Sequence, residues 1–347
     1  MIDVKIKKRL GSFNINVMFS APSNGVTVFT GPSGSGKTSI INMIAGLLKP
    51  DTGYISTEST VFFDSEKNIN CPINKRRCAY VFQDDRLFPH MNIRKNLFYG
   101  CPDKENSGLD AVLSLLGIEH LLYRMPSKLS GGEKQRVSIG RALIMKPDIL
   151  LMDEPLASLD TERKDELITY IDKLPGEFGI PIFYVTHSPQ EILRLNDELI
   201  QIHDGKVKSI GMAEEYLGVG NDGREEHISV FKCALKKYDP ASKIISARFS
   251  GGAIFIISDK KPNADFHVAI NASDVSISLE KPKNISISNI FKGKITKIEN
   301  SSEGIAIIHA DIGGHIVAYI AIPSLKRLGL KINSAAYFLV KAVSLPH

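Results

Sequence analysis

The chain of 347 residues is 43% hydrophobic and 23% charged, and it carries a formal net charge of +5. Its length exceeds what one ordinary hydrophobic core supports and predicts two domains, and its composition excludes extended disorder. Its apolar runs are far shorter than the roughly 18 residues that cross a bilayer, and its first residues lack an export signal, so we expect a cytoplasmic protein whose membrane association, if any, is peripheral.

The first predicted strand and helix, residues 26–30 and 39–48, enclose a segment that satisfies the pattern GxxxxGK[ST]. Its members are Gly31, Pro32, Ser33, Gly34, Ser35, Gly36, Lys37 and Thr38. Backbone N–H groups of such a loop wrap nucleotide phosphates, the lysine reaches the β- and γ-phosphates, and the hydroxyl binds Mg²⁺. A Gly-rich turn that only joins strand to helix is the alternative, but it gives Lys37 and Thr38 no role.

A second candidate for anion binding begins a predicted helix at residues 129–136, which read LSGGEKQR. Ser130, Gly131 and Gly132 would present free backbone N–H groups and a hydroxyl at the N-terminus of that helix. From the residues alone, a simple helix cap is the stronger interpretation.

Residues 149–152 predict a buried strand that ends in two carboxylates, Asp153 and Glu154. Ligands of doubly wound folds bind at this carboxyl edge of the sheet. Asp153 suits the coordination shell of Mg²⁺, and Glu154 suits activation of the water that attacks the γ-phosphate. Together with the phosphate loop, and with short strands alternating with helices up to about residue 212, these residues predict an α/β P-loop NTPase.

The pattern changes after a Gly-rich segment, and we predict an NTPase domain at residues 1–215, a linker at 216–228 and a β-rich regulatory region at 229–347. Short β-rich runs in this region predict a smaller all-β domain, either a small barrel or a sandwich. From Val230 onward, 16 Lys and Arg stand against 8 Asp and Glu. This surplus favours an anion, an acidic partner or nucleic acid, or it serves solubility alone.

The motifs of the first 215 residues together resemble those of ABC ATPases, and they occur in the family's order. The set comprises the phosphate loop, Gln83 after a strand, the LSGGEKQR segment, Asp153-Glu154, Asp160 and His187. The resemblance implies catalytic roles for Glu154, His187 and Lys37. It also implies that ATP contacts Gln83 besides the phosphate loop, and that Mg²⁺ contacts Thr38, Gln83 and Asp153.

The same resemblance implies a homodimer, in which each chain supplies half of two ATP sites. Ser130, Gly131 and Gly132 would complete the site of the opposite subunit, and Asp160 would contact the partner. Phe13 is the candidate that would stack on adenine, and its alternative is a place in the core.

Residues 83–91, QDDRLFPHM, resemble the importer version of the segment that docks against a membrane permease. Leu87, Phe88 and Met91 would form an exposed apolar patch for that partner, or would pack under a loop.

Residues 285–295, 328–330 and 340–345 resemble the small molybdenum-binding β-domain, an OB-like barrel, of molybdate importer ATPases. We expect this Mop-like domain at about residues 284–347. A tetrahedral dianion is bound well by N–H groups, hydroxyls and a few positive charges, so Ser286, Asn289 and Lys341 are its candidate ligands. A scaffold that holds two subunits together is the alternative role.

These resemblances imply the ATP-hydrolysing subunit of an importer that uses ATP and Mg²⁺ to take up molybdate or tungstate. A separate permease and, indirectly, a molybdate-binding protein are the implied partners, at the cytoplasmic face of the inner membrane. Sulfate, iron, polyamine or sugar import, a soluble molybdate store or sensor, and a nucleic-acid-acting ABC ATPase are the alternatives. The last usually carries a coiled-coil insertion or two cassettes, which this sequence lacks, so no nucleic-acid partner is expected.

Overall fold

The computed structural model describes residues 1–101, 108–195, 198–211, 228–258, 261–262, 265–300, 304–341 and 343–344. The chain divides into two compact units, Met1–Met212 and Ala213–His347. The predicted boundary at residue 215 and almost all of the predicted linker at 216–228 lie outside the described residues, and residue 228 begins a strand.

One sheet of the first unit, counted over its described residues, has five antiparallel strands in the order β2, β1, β4, β5, β6. The strands are β1 (Ile2–Leu10), β2 (Phe13–Ala21), β4 (Thr52–Ser56), β5 (Val61–Asp64) and β6 (Ile69–Asn70). Apolar and charged residues alternate along β1, which buries Ile2, Val4 and Ile6 on one face of the sheet. Sequence analysis did not predict this sheet.

The other sheet of this unit has six strands within the described ranges, in the order β11, β10, β3, β9, β8, β7. They are β3 (Gly25–Thr30), β7 (Cys78–Val81), β8 (Ile149–Asp153), β9 (Pro181–Val185), β10 (Glu198–His203) and β11 (Lys206–Gly211). All pairs are parallel except that of β10 with β11. Every residue of β9 is buried, as expected for an inner strand of a parallel sheet.

Helices connect these strands and complete the predicted α/β architecture. They are α1 (Lys37–Ala45), α2 (Ile93–Leu97), α3 (Leu109–Leu116), α4 (Gly131–Ile144), α5 (Thr161–Phe178) and α6 (Pro189–Arg194). The buried Arg76 donates to the carbonyls of Met43 and Ile44 at 2.8 and 2.7 Å, which satisfies the last turn of α1. No helix in the described part of the chain is long and apolar enough to span a membrane.

The second unit consists mainly of strands, which confirms the predicted smaller all-β region. Its strands are β12 (Ile228–Asp239), β13 (Ile244–Phe249), β14 (Gly252–Ile257), β15 (Asp265–Asn271), β16 (Val275–Ser278), β17 (Asn289–Asn300), β18 (Ile305–Asp311), β19 (His315–Ala321), β20 (Ala335–Val340) and β21 (Val343–Ser344), and its helix is α7 (Ile322–Leu328). Over the described residues they form two five-stranded sheets, ordered β15, β12, β13, β14, β21 and β16, β20, β17, β18, β19.

In each sheet of the second unit, a strand from before the predicted start of the Mop-like domain at about residue 284 pairs with a strand from after it. Strand β16 precedes that point but pairs with β20, and β21 follows it but pairs with β14. The two sheets also share one apolar core, in which the ring of Phe249 lies 4.9 Å from that of Phe231 and 5.2 Å from that of Phe291. The last part of the chain therefore folds onto the strands that precede it.

Candidate nucleotide site

Strands β3, β9, β8 and β7 run parallel and are neighbours in the sheet, so the segments that follow them meet at one edge. The phosphate loop follows β3, and Gln83 lies just beyond β7. Glu154 directly follows β8, and His187 follows β9 by two residues. The topology thus brings together residues that are far apart in the sequence.

The phosphate loop is held tightly between β3 and α1. Gly31 has a φ of +141°, and a Cβ on it would lie 2.0 Å from the backbone oxygen of Ile202 in β10. The buried Lys37 donates to the carbonyls of Gly31 and Pro32 at 2.7 and 2.9 Å. The ammonium group therefore lies among the backbone carbonyls of its own loop, at the N-terminus of α1 where anions bind favourably.

A hydroxyl, a carboxylate and a phenol form a chain beside this loop. Thr38 Oγ1 donates to Asp153 Oδ1 at 3.0 Å, and the Tyr80 hydroxyl donates to Asp153 Oδ2 at 3.2 Å. Burial raises the pKa of Asp153, and these two hydrogen bonds oppose that rise. Sequence analysis had not assigned Tyr80, although its place on the strand before Gln83 was the available signal.

The Thr38 and Asp153 oxygens fit a magnesium ion. Both are hard oxygen donors, and two adjacent ligands of an octahedral Mg²⁺ at about 2.1 Å lie roughly 3 Å apart, close to the separation of these two oxygens. Magnesium usually takes only one or two protein ligands and completes its shell with water and phosphate oxygens. Gln83 is exposed beyond the end of β7, and its side chain carries an amide oxygen of the type that Mg²⁺ accepts as a ligand.

Glu154 and His187 lie within hydrogen-bonding distance of each other. Glu154 Oε1 is 3.2 Å from His187 Nδ1, and the Glu154 backbone N–H donates to the carbonyl of Val185 at 3.0 Å. Glu154 has a φ of +45°, an uncommon backbone conformation for a residue other than glycine. Such conformations cluster at functional sites, where the surrounding structure holds them in place.

Ser130 begins α4 as part of a capping box. Its Oγ accepts from the Glu133 backbone N–H at 3.3 Å, and Glu133 Oε2 accepts from the Ser130 N–H at 2.7 Å. Gly131 and Gly132 pack beside Leu159 and Arg163. The cap that the residues alone indicated is therefore present, and it leaves the Ser130 hydroxyl hydrogen available for the further acceptor that the family resemblance implies.

Because the capping box depends on a side-chain acceptor, Ser130→Ala should lower the free energy of unfolding by about 1 kcal/mol. Ser130→Asn keeps such an acceptor and should unfold at nearly the wild-type urea concentration. Urea denaturation of the two variants tests this difference, and equal midpoints would contradict it. Both variants lack the serine hydroxyl. If both lose ATP hydrolysis equally while only Ser130→Ala loses stability, the hydroxyl has a role in hydrolysis that is separate from its role in the cap.

Asp160 and Phe13 both have local structural roles. Asp160 caps α5 by accepting from the Arg163 backbone N–H at 3.1 Å. Phe13 is partly buried against the core of the first unit, and a Cβ on Gly36 would lie 3.2 Å from its ring. Phe13 thus lies beside the phosphate loop. Its contacts with the core agree with a place in the core, which was the alternative to stacking on adenine.

The segment with Leu87, Phe88 and Met91 is partly buried rather than fully exposed. The buried Asn96 organises it, because its side chain bonds the backbone N–H of Phe88 at 2.7 Å and the carbonyls of Phe88 and Met91 at 3.1 and 2.9 Å. The Phe88 ring packs on Tyr99 with centroids 4.1 Å apart. A cleft of about 680 Å³ lies alongside and is lined by Met91, Asn92, Arg94, Lys95, Phe98, Tyr99, Gly100 and Tyr123.

The three oxyanion candidates lie near one end of β17 but have different surroundings. Asn289 is buried and pairs with the backbone of Phe255 in β14, accepting from its N–H at 2.8 Å and donating to its carbonyl at 2.9 Å. Asn289 is also opposite Val340, so Lys341 follows directly beside it, while Ser286 precedes β17 by three residues. Ser286 and Lys341 are exposed, whereas the Asn289 amide already has a structural task.

Comparisons with known proteins agree with this geometry over both units. The sequence model of the ABC transporter family matches residues 15–157, and that of the TOBE domain matches residues 285–345. The chain is 42% identical over 351 residues to the molybdenum import ATP-binding protein ModC of Haemophilus ducreyi, covering 99% of this chain and 100% of that protein. It is 41% identical to ModC of Photobacterium profundum, covering 98% of each.

Solved structures of ATP-binding cassettes resemble the chain over somewhat less than two thirds of its length. A dimeric post-hydrolysis state of the cassette MJ0796 bound to ADP and Pi matches with a TM-score of 0.51 and 27% identity, covering 61% of this chain and 99% of that one. The ADP conformation of the cassette MJ1267 matches with a TM-score of 0.53 and 25% identity, covering 62% of this chain and 91% of that one.

Proposed function

This chain belongs to the family of the molybdenum import ATP-binding proteins of ABC transporters, and we propose that it hydrolyses ATP to drive molybdate or tungstate uptake through a separate permease. The observation that carries the ATPase assignment is the meeting of the phosphate loop, Asp153, Glu154 and His187 at one sheet edge. The substrate follows from the family, whose members match both the ATPase unit and the β-rich unit.

The residues at the sheet edge divide the work of ATP hydrolysis. Residues 31–38 bind the phosphates, with Lys37 contributing positive charge, while Thr38, Asp153 and Gln83 would hold Mg²⁺. When bound there, the ion would supply positive charge that neutralises the phosphate oxygens. Glu154 would accept the proton of the attacking water, and His187, which lies 3.2 Å from Glu154, would contact the γ-phosphate.

A second copy of the chain completes each site in this proposal. Ser130, Gly131 and Gly132 lie at the N-terminus of α4, where the two glycines pack beside Leu159 and Arg163. A helix N-terminus with a free hydroxyl hydrogen is suited to the phosphates of a nucleotide held by the partner subunit. ATP binding would therefore close a homodimer.

Residues 83–91, the segment that resembles a permease-docking segment, would link that closure to the permease. Arg141, near the C-terminal end of α4, donates to the carbonyl of Arg86 at 3.0 Å and lies 5.5 Å from the centre of the Phe88 ring. Helix α4, which begins after Ser130, is thus hydrogen-bonded to residues 83–91, the segment that would meet the permease. We propose that the chain lies peripherally at the cytoplasmic face of the cell membrane and that a molybdate-binding protein supplies the transporter indirectly.

The decisive experiment measures ATP hydrolysis by the chain reconstituted with its permease in liposomes. Binding protein loaded with molybdate, tungstate or sulfate is compared at equal concentration. Stimulation by molybdate or tungstate alone is expected. An equal response to sulfate would widen the substrate class. No response to any oxyanion would overturn the substrate assignment, whereas the ATPase assignment would then be tested by the basal rate of ATP hydrolysis.

The second unit is proposed to bind the oxyanion with Ser286 and Lys341. Ser286→Ala and Lys341→Ala remove exposed groups, so they should weaken molybdate binding by the full chain with changes in unfolding free energy within about 0.5 kcal/mol. Asn289→Ala should instead cost about 1–3 kcal/mol, because it leaves both backbone groups of Phe255 unsatisfied. Equilibrium dialysis with molybdate, beside urea denaturation, tests both expectations, and unchanged binding in the first two variants would contradict the site.

A further inference from the structure

Glu191 in α6 is a buried carboxylate that the mechanism above does not use. It is only 3% exposed. Its Oε2 accepts from the Tyr184 hydroxyl at 3.0 Å and from Thr186 Oγ1 at 2.7 Å, and its Oε1 lies 3.9 Å from Lys164 Nζ. Burying a carboxylate is costly unless its hydrogen bonds compensate, so these donors hold Glu191 in one place and are held by it.

Both hydroxyl groups that donate to the Glu191 carboxylate belong to residues that shortly precede His187 in the sequence. Thr186 precedes His187, and its hydroxyl oxygen also accepts from the Ser188 backbone N–H at 3.0 Å. Burial and the adjacent Glu191 raise the pKa of Tyr184 well above its ordinary value, so the phenol remains a donor at neutral pH. The Glu191 carboxylate therefore holds the Thr186 hydroxyl directly, and through that hydroxyl it also holds the backbone N–H of Ser188 on the other side of His187.

His187 itself has little packing to hold it. Its side chain is 68% exposed, and within the described residues its imidazole lies 3.2 Å from Glu154 Oε1. The position of the imidazole therefore depends on the backbone that carries it. That backbone is also tied to β3, because the Thr186 N–H donates to the carbonyl of Phe29 at 3.1 Å.

We propose that Glu191 is a positioning residue of the nucleotide site, whose buried carboxylate holds the Thr186 hydroxyl and thereby places His187 against Glu154 and the γ-phosphate. This inference rests on the proposed function, because it requires that His187 takes part in ATP hydrolysis. Misplacement of a reacting group by about 1 Å can cost on the order of 10²-fold in rate. Glu191 should therefore affect kcat far more than the KM for ATP.

The test compares variants of the full chain, reconstituted with its permease in liposomes, by kcat and KM for ATP. Glu191→Ala should lower kcat by about 10- to 100-fold and change KM by less than about 3-fold. Glu191→Gln keeps an acceptor oxygen and should restore kcat to within about 5-fold of wild type. Thr186→Val breaks the link next to His187 and should reproduce the loss, which keeps the test available if Glu191→Ala does not fold.

Two controls separate positioning from general destabilisation. Ile192→Ala removes a buried apolar side chain of the same helix, so it should lower the melting temperature without the loss of kcat. If Glu191 acts through His187, then adding Glu191→Ala to His187→Ala should lower kcat no further. Effects that multiply in this double variant, or an equal loss of kcat in Ile192→Ala, would overturn the inference.

The same series distinguishes the inference from the proposed function. A normal kcat in His187→Ala would overturn the catalytic assignment of His187, and the positioning role with it. A normal kcat in Glu191→Ala beside a low kcat in His187→Ala would overturn only the positioning role.

Discussion

Replacing Glu154 by Gln is expected to lower the kcat of ATP hydrolysis by about 10²- to 10⁴-fold while changing ATP affinity by less than about 3-fold. Gln has the same shape and can keep a contact with His187, which lies 3.2 Å away, but its amide cannot accept the proton of water. Single-turnover hydrolysis measures the chemical step, and equilibrium binding of a fluorescent ATP analogue measures affinity.

The control for this variant is Glu66→Gln, which removes an equal charge from an exposed turn of the first unit. Glu66→Gln should hydrolyse ATP at the wild-type rate. Turnover by Glu154→Gln that matched this control would show that Glu154 is not the base. Residue 154 has a φ of +45°, which Gln adopts no more easily than Glu. Backbone strain at residue 154 is therefore the same in wild type and in Glu154→Gln.

Gly31→Ala is expected to have the other large effect, through the backbone rather than through chemistry. Its Cβ would lie 2.0 Å from the Ile202 oxygen, and its φ of +141° is one that L side chains rarely adopt. The phosphate loop must then move away from β10, so the free energy of unfolding should fall by more than about 2 kcal/mol. ATP affinity should fall at least about 10-fold, because the loop amides lose their arrangement around the phosphates.

Gly34→Ala is the matched control within the same loop. Gly34 also has a positive φ, of +80°, but a Cβ there meets no atom within 4 Å. The expected cost is only about 1–2 kcal/mol, from the backbone conformation alone. Urea denaturation of both variants compares the two glycines, and equal losses would contradict the role given to the contact between Gly31 and Ile202.

The sequence by itself determined the features that lie within a few residues of one another. The phosphate loop, the pair Asp153-Glu154 and the cap at Ser130 are read from contiguous residues, because one turn or one strand end fixes their relative geometry. The alternation of strands and helices indicated the parallel sheet, and the β-branched runs after residue 228 indicated the all-β unit.

The order of strands in the sheet decided which of those features meet. Thr38 and Asp153 are 115 residues apart, and Glu154 and His187 are 33 apart, yet each pair is in contact because β3, β9 and β8 are neighbours. Resemblance to a family could assign these residues to one site, but no periodicity in the chain gives strand order. Sequence analysis missed the antiparallel sheet that contains β1 for a related reason. Several of its strands are joined by hairpins and so do not follow the alternation of strand and helix from which the fold was predicted.

Only the tertiary structure could show the roles of Asn289 and Glu191. Sequence analysis names Asn289 as a candidate oxyanion ligand, and the structure shows that its side chain pairs with the backbone of Phe255, 34 residues earlier. Sequence analysis assigned no role to Glu191, whose carboxylate is buried against Tyr184 and Thr186. Whether a polar side chain serves a ligand or the protein's own backbone depends on what its atoms contact, and those contacts are set by packing between distant segments.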